Sequence, residues 1–384
     1  MQQHWKLTKN LFEISEMPFY WRLGKSKDKF ENISQYLPVK LEPDNNFDFL
    51  KIIFNKEEWS IIKKAYEQDA TIGFLNQESG HMETYGSSVN KFFLETVKRF
   101  NPVKIYEIGC GAGISIKYLE KHGKKVIGID PSEYSLKYSK ELQFELINKF
   151  FSNTTLDEQA DFIFCNDVFE HIPEILNFSK SVFECLEEDG VFCIATTNST
   201  DSIRFGDISM IEHQHVNMFT ETSIHQILTW AGFSNIEVSK GSYGNTFHIV
   251  ARKVKEKNIK KSFSTQKTLS VSYFEKIKKN LKYFSEIYHS SSVLNCYVPL
   301  RCLPYLASVG DFGKTKIFDS NKAWRGKFID GYSLPILAPE DISADKDENF
   351  FIGSLTFYNE IRKLLIQKGV PRTSIFSVLD INDD

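Results

Sequence analysis

The chain has 384 residues, 41% hydrophobic and 25% charged, with a net charge of −3 from 47 basic and 50 acidic side chains. That length fits two or three domains at about 100–200 residues each, and the composition excludes a disordered chain, a collagen-like chain and a small disulfide scaffold. The near balance of charge weighs against a nucleic-acid partner, while 33 Phe and 16 Tyr supply apolar area for two cores, or for a core and an aromatic-walled pocket.

Residues 1–100 read as irregular and mostly helical, with apolar residues at helical spacing through Ile52, Ile53, Trp59, Ile61, Ile62 and Tyr66, and more clearly from Val89 to Phe100. Asn101-Pro102 stops that helix, because the residue before proline is pushed out of the α region. From Val103 the pattern becomes strand, glycine-rich turn, helix, strand. Strands are expected at Val103–Ile108, Lys125–Ile129, Phe144–Ile147, Asp161–Cys165 and Val191–Ala195, and helices at Ile114–His122, from Pro131 or Ser132 onward, and at Ile175–Leu186. The last of these is expected to stop at Asp189-Gly190, a favourable left-handed cap. Such alternation implies a parallel sheet with crossover helices. A helix from Glu221 to Ala231, closed by Gly232, leads to two final strands, Ile236–Lys240 and Phe247–Arg252, expected at an antiparallel edge.

The lysine-rich stretch 253–261 reads as a linker. Beyond it come a long amphipathic helix (Thr268–Tyr288), strands at Val293–Val298, Lys316–Phe318 and Asn349–Gly353, a helix at Asn359–Lys368 and a last strand from Ser374. The expected fold class is α/β, with a helical segment over 1–100, a central sheet domain over 101–254 and a second, smaller α/β domain over 265–384.

None of the six cysteines forms a C-x-x-C pair, so buried free thiols in a reducing compartment are expected. The N-terminus lacks the apolar core of a signal peptide and no apolar run approaches the roughly 18–20 residues needed to span a bilayer. A cytoplasmic protein without a membrane span is the expectation.

The strongest chemical signal is Glu107-Ile-Gly-Cys-Gly-Ala-Gly113, between a strand and a helix. Glycines there let the backbone turn tightly and approach a ligand at a helix N-terminus. A dinucleotide fingerprint needs a small residue where Ile114 stands, which disfavours a nicotinamide oxidoreductase. The E-x-G-x-G-x-G arrangement, Asp130 at the end of the second strand, and Asp161-Phe-Ile-Phe-Cys-Asn-Asp-Val-Phe-Glu-His-Ile172 together resemble the class I S-adenosylmethionine-dependent methyltransferases. The resemblance implies S-adenosylmethionine as cofactor, held by Glu107, Gly109, Cys110, Gly111 and Gly113, with Asp130 and Pro131 at the ribose. It places Asn166 and Asp167 beside the methionine moiety and Asn148 and Phe150 near the adenine. His171 reads first as a residue holding local structure at a helix start.

Two segments outside the sheet, Glu78-Ser-Gly-His-Met-Glu-Thr-Tyr-Gly-Ser-Ser88 and Ile211-Glu-His-Gln-His-Val-Asn-Met-Phe-Thr220, resemble acceptor segments of the nucleotide-sugar methyltransferases. The sugar C-methyltransferases among them carry Tyr-His-Glu-His where this chain has Glu212, His213, Gln214 and His215, and a cysteine-ligated zinc module where this chain has no cysteine before Cys110. The resemblance therefore implies O-methylation of a sugar hydroxyl on a nucleotide-activated sugar, such as GDP-heptose, for a surface polysaccharide. His215 is the first choice as general base and His213 the second, with Glu212 orienting an imidazole; Tyr85, Ser87, Ser88, Gln214, Phe219 and Tyr243 are expected to bind the acceptor. No metal is assigned, magnesium at Glu212, His213 and His215 being the lesser alternative because two imidazoles suit a softer ion. Segments around Ile317-Phe-Asp-Ser-Asn-Lys-Ala-Trp-Arg-Gly-Lys327, 334–341 and 351–361 resemble the second domain of the same family, but Cys296-Tyr-Val-Pro-Leu-Arg301 replaces its glycine-rich loop. That domain is expected to serve as a lid or a homodimer contact. Sugar C- or N-methylation, a quinone-like acceptor and a non-catalytic cofactor-binding scaffold subunit stay open as alternatives.

Overall fold

The computed structural model of the protein describes residues 4–19, 23–24, 36–68, 80–241, 245–254, 268–329, 334–343 and 348–381. The chain opens with strands rather than helices: β1 (Trp5–Leu7), β2 (Phe12–Pro18), β3 (Leu23–Gly24), β4 (Tyr36–Pro43) and β5 (Leu50–Ile53). This corrects the helical reading of residues 1–100. Leu37, Val39 and Leu41 alternate onto the buried face of β4 as a half-buried strand requires. Helices α1 (Lys56–Gln68) and α2 (Gly80–Phe100) complete the preface.

The central sheet is built from β6 (Ile105–Ile108), β7 (Val126–Ile129), β8 (Glu145–Ile147), β9 (Ala160–Asn166) and β10 (Leu186–Thr197), linked by α3 (Ile114–Glu120), α4 (Glu133–Leu142) and α5 (Ile175–Cys185). After α6 (Thr200–Phe205), β11 (Asn217–Met218) and α7 (Glu221–Ala231), the strands β12 (Ser234–Lys240) and β13 (Thr246–Arg252) close the sheet in the order β12-β13-β10-β9-β6-β7-β8. The pairs from β10 to β8 are parallel, and β13 runs antiparallel to both β10 and β12. The expected α/β sheet and its antiparallel edge are both present. Phe162–Cys165 of β9 and Val191–Ala195 of β10 are continuous buried apolar runs, as central strands covered on both faces require. Helix α5 ends at Cys185, before the expected stop; Asp189 takes its positive φ inside the irregular start of β10, where the register shifts between Leu186 and Val191.

The third part comprises α8 (Thr268–Ser290), β14 (Val293–Tyr297), α9 (Pro299–Val309), β15 (Thr315–Phe318), β16 (Phe328–Ile329), β17 (Ile336–Leu337), β18 (Glu348–Ile352), α10 (Tyr358–Gln367) and β19 (Ile375–Phe376). It holds a parallel sheet of order β17-β15-β14-β18-β19, the second α/β unit expected. It is not packed as an independent domain. Phe12, Ile14, Val39 and Ile52 of the first sheet share one core with Phe284, Cys296, Tyr305 and Phe351, and β16 pairs with β3. The preface and the C-terminal unit therefore share one core and one strand pairing.

The N-terminal sheet has the order β1-β2-β4-β5-β11, so its last strand comes from the segment after β10. Asn217 pairs with Lys51 and Met218 with Leu50, which fixes the histidine-bearing stretch just ahead of them. All six cysteines are buried and unpaired. Among the described residues no helix is long and apolar enough to cross a membrane.

Candidate active site

Between β6 and α3 the backbone takes positive φ at Gly109, Gly111 and Gly113. Glycine is required at Gly109 and Gly113 on steric grounds as well: a Cβ on the first would run into Val168, and on the second into the Phe144 ring. The loop is thereby pressed against the segment that follows β9. Asp130, at the end of β7, accepts from the Gly111 amide (3.0 Å), the Ser132 amide (2.9 Å) and the Ser132 hydroxyl (2.6 Å). Glu107 is buried and faces the start of α3, where Ser115 and the Ile116 amide donate to it; one of its oxygens has no partner, and burial pushes its carboxyl well above the usual range. Burial likewise raises the Cys110 thiol. Pro131 is half-buried beside Asp130.

Asn148, expected near the adenine, donates to the backbone carbonyls of Asp130 (2.9 Å) and Ser132 (3.2 Å), bracing the Asp130 turn. Phe150 is 44% exposed, with the Lys63 ammonium 4.9 Å from its ring centre.

A second group of polar side chains gathers where β9 ends. Asp167, with φ of 50°, accepts from Tyr85 Oη at 2.7 Å and from Asn166 at 3.2 Å; burial and the neighbouring Glu170 raise its carboxyl to about 7. A 3-10 turn, Phe169–His171, then turns Glu170 and His171 inward. Glu170 is fully buried, accepts from Thr196 at 2.8 Å through Oε2, and leaves Oε1 without a partner. Burial raises its pKa. His171 Nδ1 lies 2.6 Å from the Gln214 carbonyl, to which it donates, and burial brings its pKa down to about 4.

His215 faces this group, its ring 5.1 Å from that of His171. Its Nε2 is 2.9 Å from Glu212 Oε1, and its Nδ1 has no partner. Burial opposes charge on this imidazole, but the adjoining Glu212 carboxylate outweighs it and the net shift is upward. For Glu212 burial is again overridden, and the carboxyl is brought down to about 2 by His215. Helix α1 contributes Tyr66, whose ring stands 6.1 Å from His171 and whose hydroxyl has no partner.

His213 does not join them. Its Nε2 is 3.0 Å from the Leu37 carbonyl, its ring meets Phe19 edge-on, and it is 2% exposed with its pKa lowered to about 4 by burial. It fastens the segment to the N-terminal sheet, and the expectation of a second base is corrected. Phe219 is likewise core, fully buried against Phe49 and Phe169, rather than a pocket wall. Gln214 contributes its carbonyl to His171. Tyr85 reaches the site through Asp167, Ser88 is half-buried and Ser87 is exposed on α2. Tyr243 lies outside the described residues. Tyr66 and Glu170 were not singled out from sequence. Glu170 sits within the Phe-Glu-His stretch that carried the resemblance, whereas Tyr66 had no signal beyond its place on an apolar helix stripe.

Residues 80–238 match a family model described as a methyltransferase domain. Over 109 residues the chain is 32% identical to a ubiquinone biosynthesis O-methyltransferase of Actinobacillus pleuropneumoniae serotype 7, a match covering 25% of this chain and 47% of that one. A mitochondrial ubiquinone biosynthesis O-methyltransferase of Bos taurus is 28% identical over 116 residues, covering 27% and 31%. The chain thus spans about half or less of the length of these curated relatives. The solved structure of an S-adenosylmethionine-dependent methyltransferase from Clostridium acetobutylicum aligns with a TM-score of 0.37 at 13% identity, over 47% of this chain and 95% of that one. The glycine loop, the Asp130 turn, the sheet order and the matching family model agree: residues 80–238 of this chain are a class I S-adenosylmethionine-dependent methyltransferase domain.

Proposed function

We propose that the protein is an S-adenosylmethionine-dependent O-methyltransferase acting on a hydroxyl of a nucleotide-activated sugar. What carries the reading is the set of buried side-chain atoms without partners beside the glycine loop: Tyr66 Oη, Glu170 Oε1 and His215 Nδ1. Native proteins seldom leave such atoms unpaired, because each costs about 1–3 kcal/mol. A hydroxyl-rich acceptor supplies both donors and acceptors to them.

The residues fit the cofactor. Gly109, Gly111 and Gly113 take positive φ in a loop packed too closely at Gly109 and Gly113 to admit a side chain, Asp130 accepts from the Gly111 amide within it, and Asn166 Oδ1 is buried without a partner. When bound there, S-adenosylmethionine supplies an electrophilic methyl group. The chain's own work is alignment of the acceptor oxygen, from which much of the acceleration of a displacement comes, and easing the loss of its proton. His215 handles the hydroxyl through Nδ1, while Glu212 holds Nε2 and so fixes the ring.

Two features favour a sugar nucleotide. The parts outside residues 80–238 close around the histidine segment, and Arg301 of the C-terminal unit sets a positive charge that Glu212 and His215 both feel. A phosphate-bearing acceptor suits that charge. O-methylation is preferred because the segment departs from the C-methyl pattern at Glu212 and Gln214. Six buried, unpaired thiols suit the cytoplasm. A second reading, a ring hydroxyl of a quinone precursor, is favoured by the names of the relatives. Incubating the protein and S-adenosylmethionine with a panel of nucleotide sugars and with a prenylated catechol separates the two. A mass gain of one methylene on a sugar nucleotide, located on oxygen by NMR, is the expected result; methylation of the catechol alone would overturn it.

A further inference from the structure

Three ligand-type side chains meet at the end of β9 in a way the methyl transfer does not by itself require. Glu170, His171 and His215 each present one candidate ligand atom, and the three atoms lie within 4.8 Å of one another. Glu170 Oε1 and His215 Nδ1 have no hydrogen-bond partner, although their residues are 0% and 7% exposed. His171 Nδ1 is engaged with the Gln214 carbonyl, which leaves Nε2 as its free atom.

The other side of each group is held. Thr196 grips the second oxygen of Glu170 at 2.8 Å, the Gln214 carbonyl takes the far N–H of His171, and Glu212 takes the far N–H of His215 at 2.9 Å. Imidazoles that bind a metal usually donate their other N–H to a carbonyl or a carboxylate, which fixes tautomer and orientation. Here both of those partners are present, one of each kind. A purely structural cluster would pair its buried polar atoms; here Glu170 Oε1 and His215 Nδ1 stay without partners although the three candidate ligand atoms lie within 4.8 Å of one another.

We propose that Glu170, His171 and His215 form a binding site for a divalent first-row cation of the zinc type. Two imidazoles and one carboxylate suit such an ion better than magnesium, which takes oxygen ligands. Nitrogen and oxygen ligands lie about 2.0–2.2 Å from zinc, hence roughly 3.4 Å from each other, so side-chain rotation on the order of 1 Å closes the present spacing. Three protein ligands leave a position open, as in catalytic rather than structural zinc sites. The inference rests on the proposed function's placing of the acceptor and revises one role in it: with a cation bound, His215 Nδ1 would be a ligand rather than the atom that meets the hydroxyl, and the hydroxyl would take the cation's open position, with the neighbouring Asp167 carboxylate to accept its proton.

Equilibrium binding of zinc and of cobalt to the chelator-stripped full chain tests the site without an acceptor. One ion per chain is expected, with visible cobalt absorption of a nitrogen- and oxygen-ligated site. Glu170→Gln and His171→Asn should each weaken binding by at least about 100-fold, since loss of even an outer partner costs 10–100-fold. Both variants keep a hydrogen-bonding atom toward Thr196 or Gln214, and unchanged S-adenosylhomocysteine affinity shows that they fold. No stoichiometric binding by the native chain, or binding at full strength in both variants, overturns the site. Hydroxyl methylation that survives the chelator unchanged removes the cation and leaves the proposed function standing; metal binding without methylation of any hydroxyl does the reverse.

Discussion

Tyr85 Oη donates a 2.7 Å hydrogen bond to Asp167 Oδ1, tying the long helix α2 to the segment that follows β9. Asp167 holds a positive φ, a conformation that non-glycine residues keep only when their surroundings enforce it. Tyr85→Phe removes the donor from a buried carboxylate and is expected to cost about 1–3 kcal/mol. Thermal unfolding with and without S-adenosylmethionine should show a lower midpoint and a smaller stabilisation by the cofactor. An unchanged midpoint would mean that the hydrogen bond does not set the turn.

Gly113 and Gly123 share nearly the same positive φ, 72° and 78°, but differ in what surrounds them. A Cβ at Gly113 collides with Phe144, whereas at Gly123 it meets nothing within 4 Å. Gly123→Ala should therefore cost only the backbone preference, about 1 kcal/mol. Gly113→Ala adds a displaced aromatic ring beneath the cofactor loop and should lose measurable S-adenosylhomocysteine binding in calorimetry. Equal effects would show that the loop tolerates a shift of Phe144.

His213 and His215 stand two residues apart in sequence but have different surroundings: the first meets the Leu37 carbonyl, the second Glu212. His213→Leu leaves the Leu37 carbonyl unpaired and is expected to lower stability by about 1–3 kcal/mol, with turnover per folded molecule retained. His215→Gln should cut turnover by about 10²–10⁴-fold with cofactor affinity unchanged. Comparable loss of turnover in both variants would return His213 to the chemistry.

His248 stacks on Phe92 at 4.2 Å, joining β13 to α2, and burial lowers its pKa below 6.5. The folded state thus prefers the neutral ring. Its contribution to stability is fully present above about pH 6.5 and declines as pH falls below that value toward the lowered folded-state pKa. Denaturant midpoints of the native chain and of His248→Gln, measured from pH 8 to 5, should converge on the acid side. Parallel profiles would contradict this.

The central sheet and glycine loop were legible because both are local patterns: apolar runs of strand length, glycines at fixed spacing and an acid after the next strand. The N-terminal sheet was not. In β2 the register shifts between Ile14 and Met17, which breaks the alternation by which a strand is recognised, and β4 carries Pro38 and Pro43, residues that argue against an inner strand. The site was legible only in part for a related reason. Glu170 and His171 lie in one motif, but Tyr66 arrives from α1, and the roles of His213 and His215 are decided by which of them meets the Leu37 carbonyl. Pairing across such distances leaves no periodic trace.

The shared core of the preface and the C-terminal unit leads to a last expectation. Tyr305 of α9 donates to Asp207 at 2.7 Å and accepts from the Ile208 amide at 3.0 Å, while Tyr273 of α8 donates to the Asp207 carbonyl at 2.8 Å. Cutting the chain after residue 254 removes these contacts and the part of the core that Phe12, Ile14, Val39 and Ile52 share with α8, α9 and β18. An apolar face of that kind is rarely left open on a soluble monomer. The 1–254 fragment should aggregate or elute as large assemblies in size-exclusion chromatography, although it contains the entire matched methyltransferase domain. A monomeric fragment with native cofactor affinity would show that the two units fold separately. The C-terminal unit would then serve the acceptor alone, rather than also holding the sheet that positions His215.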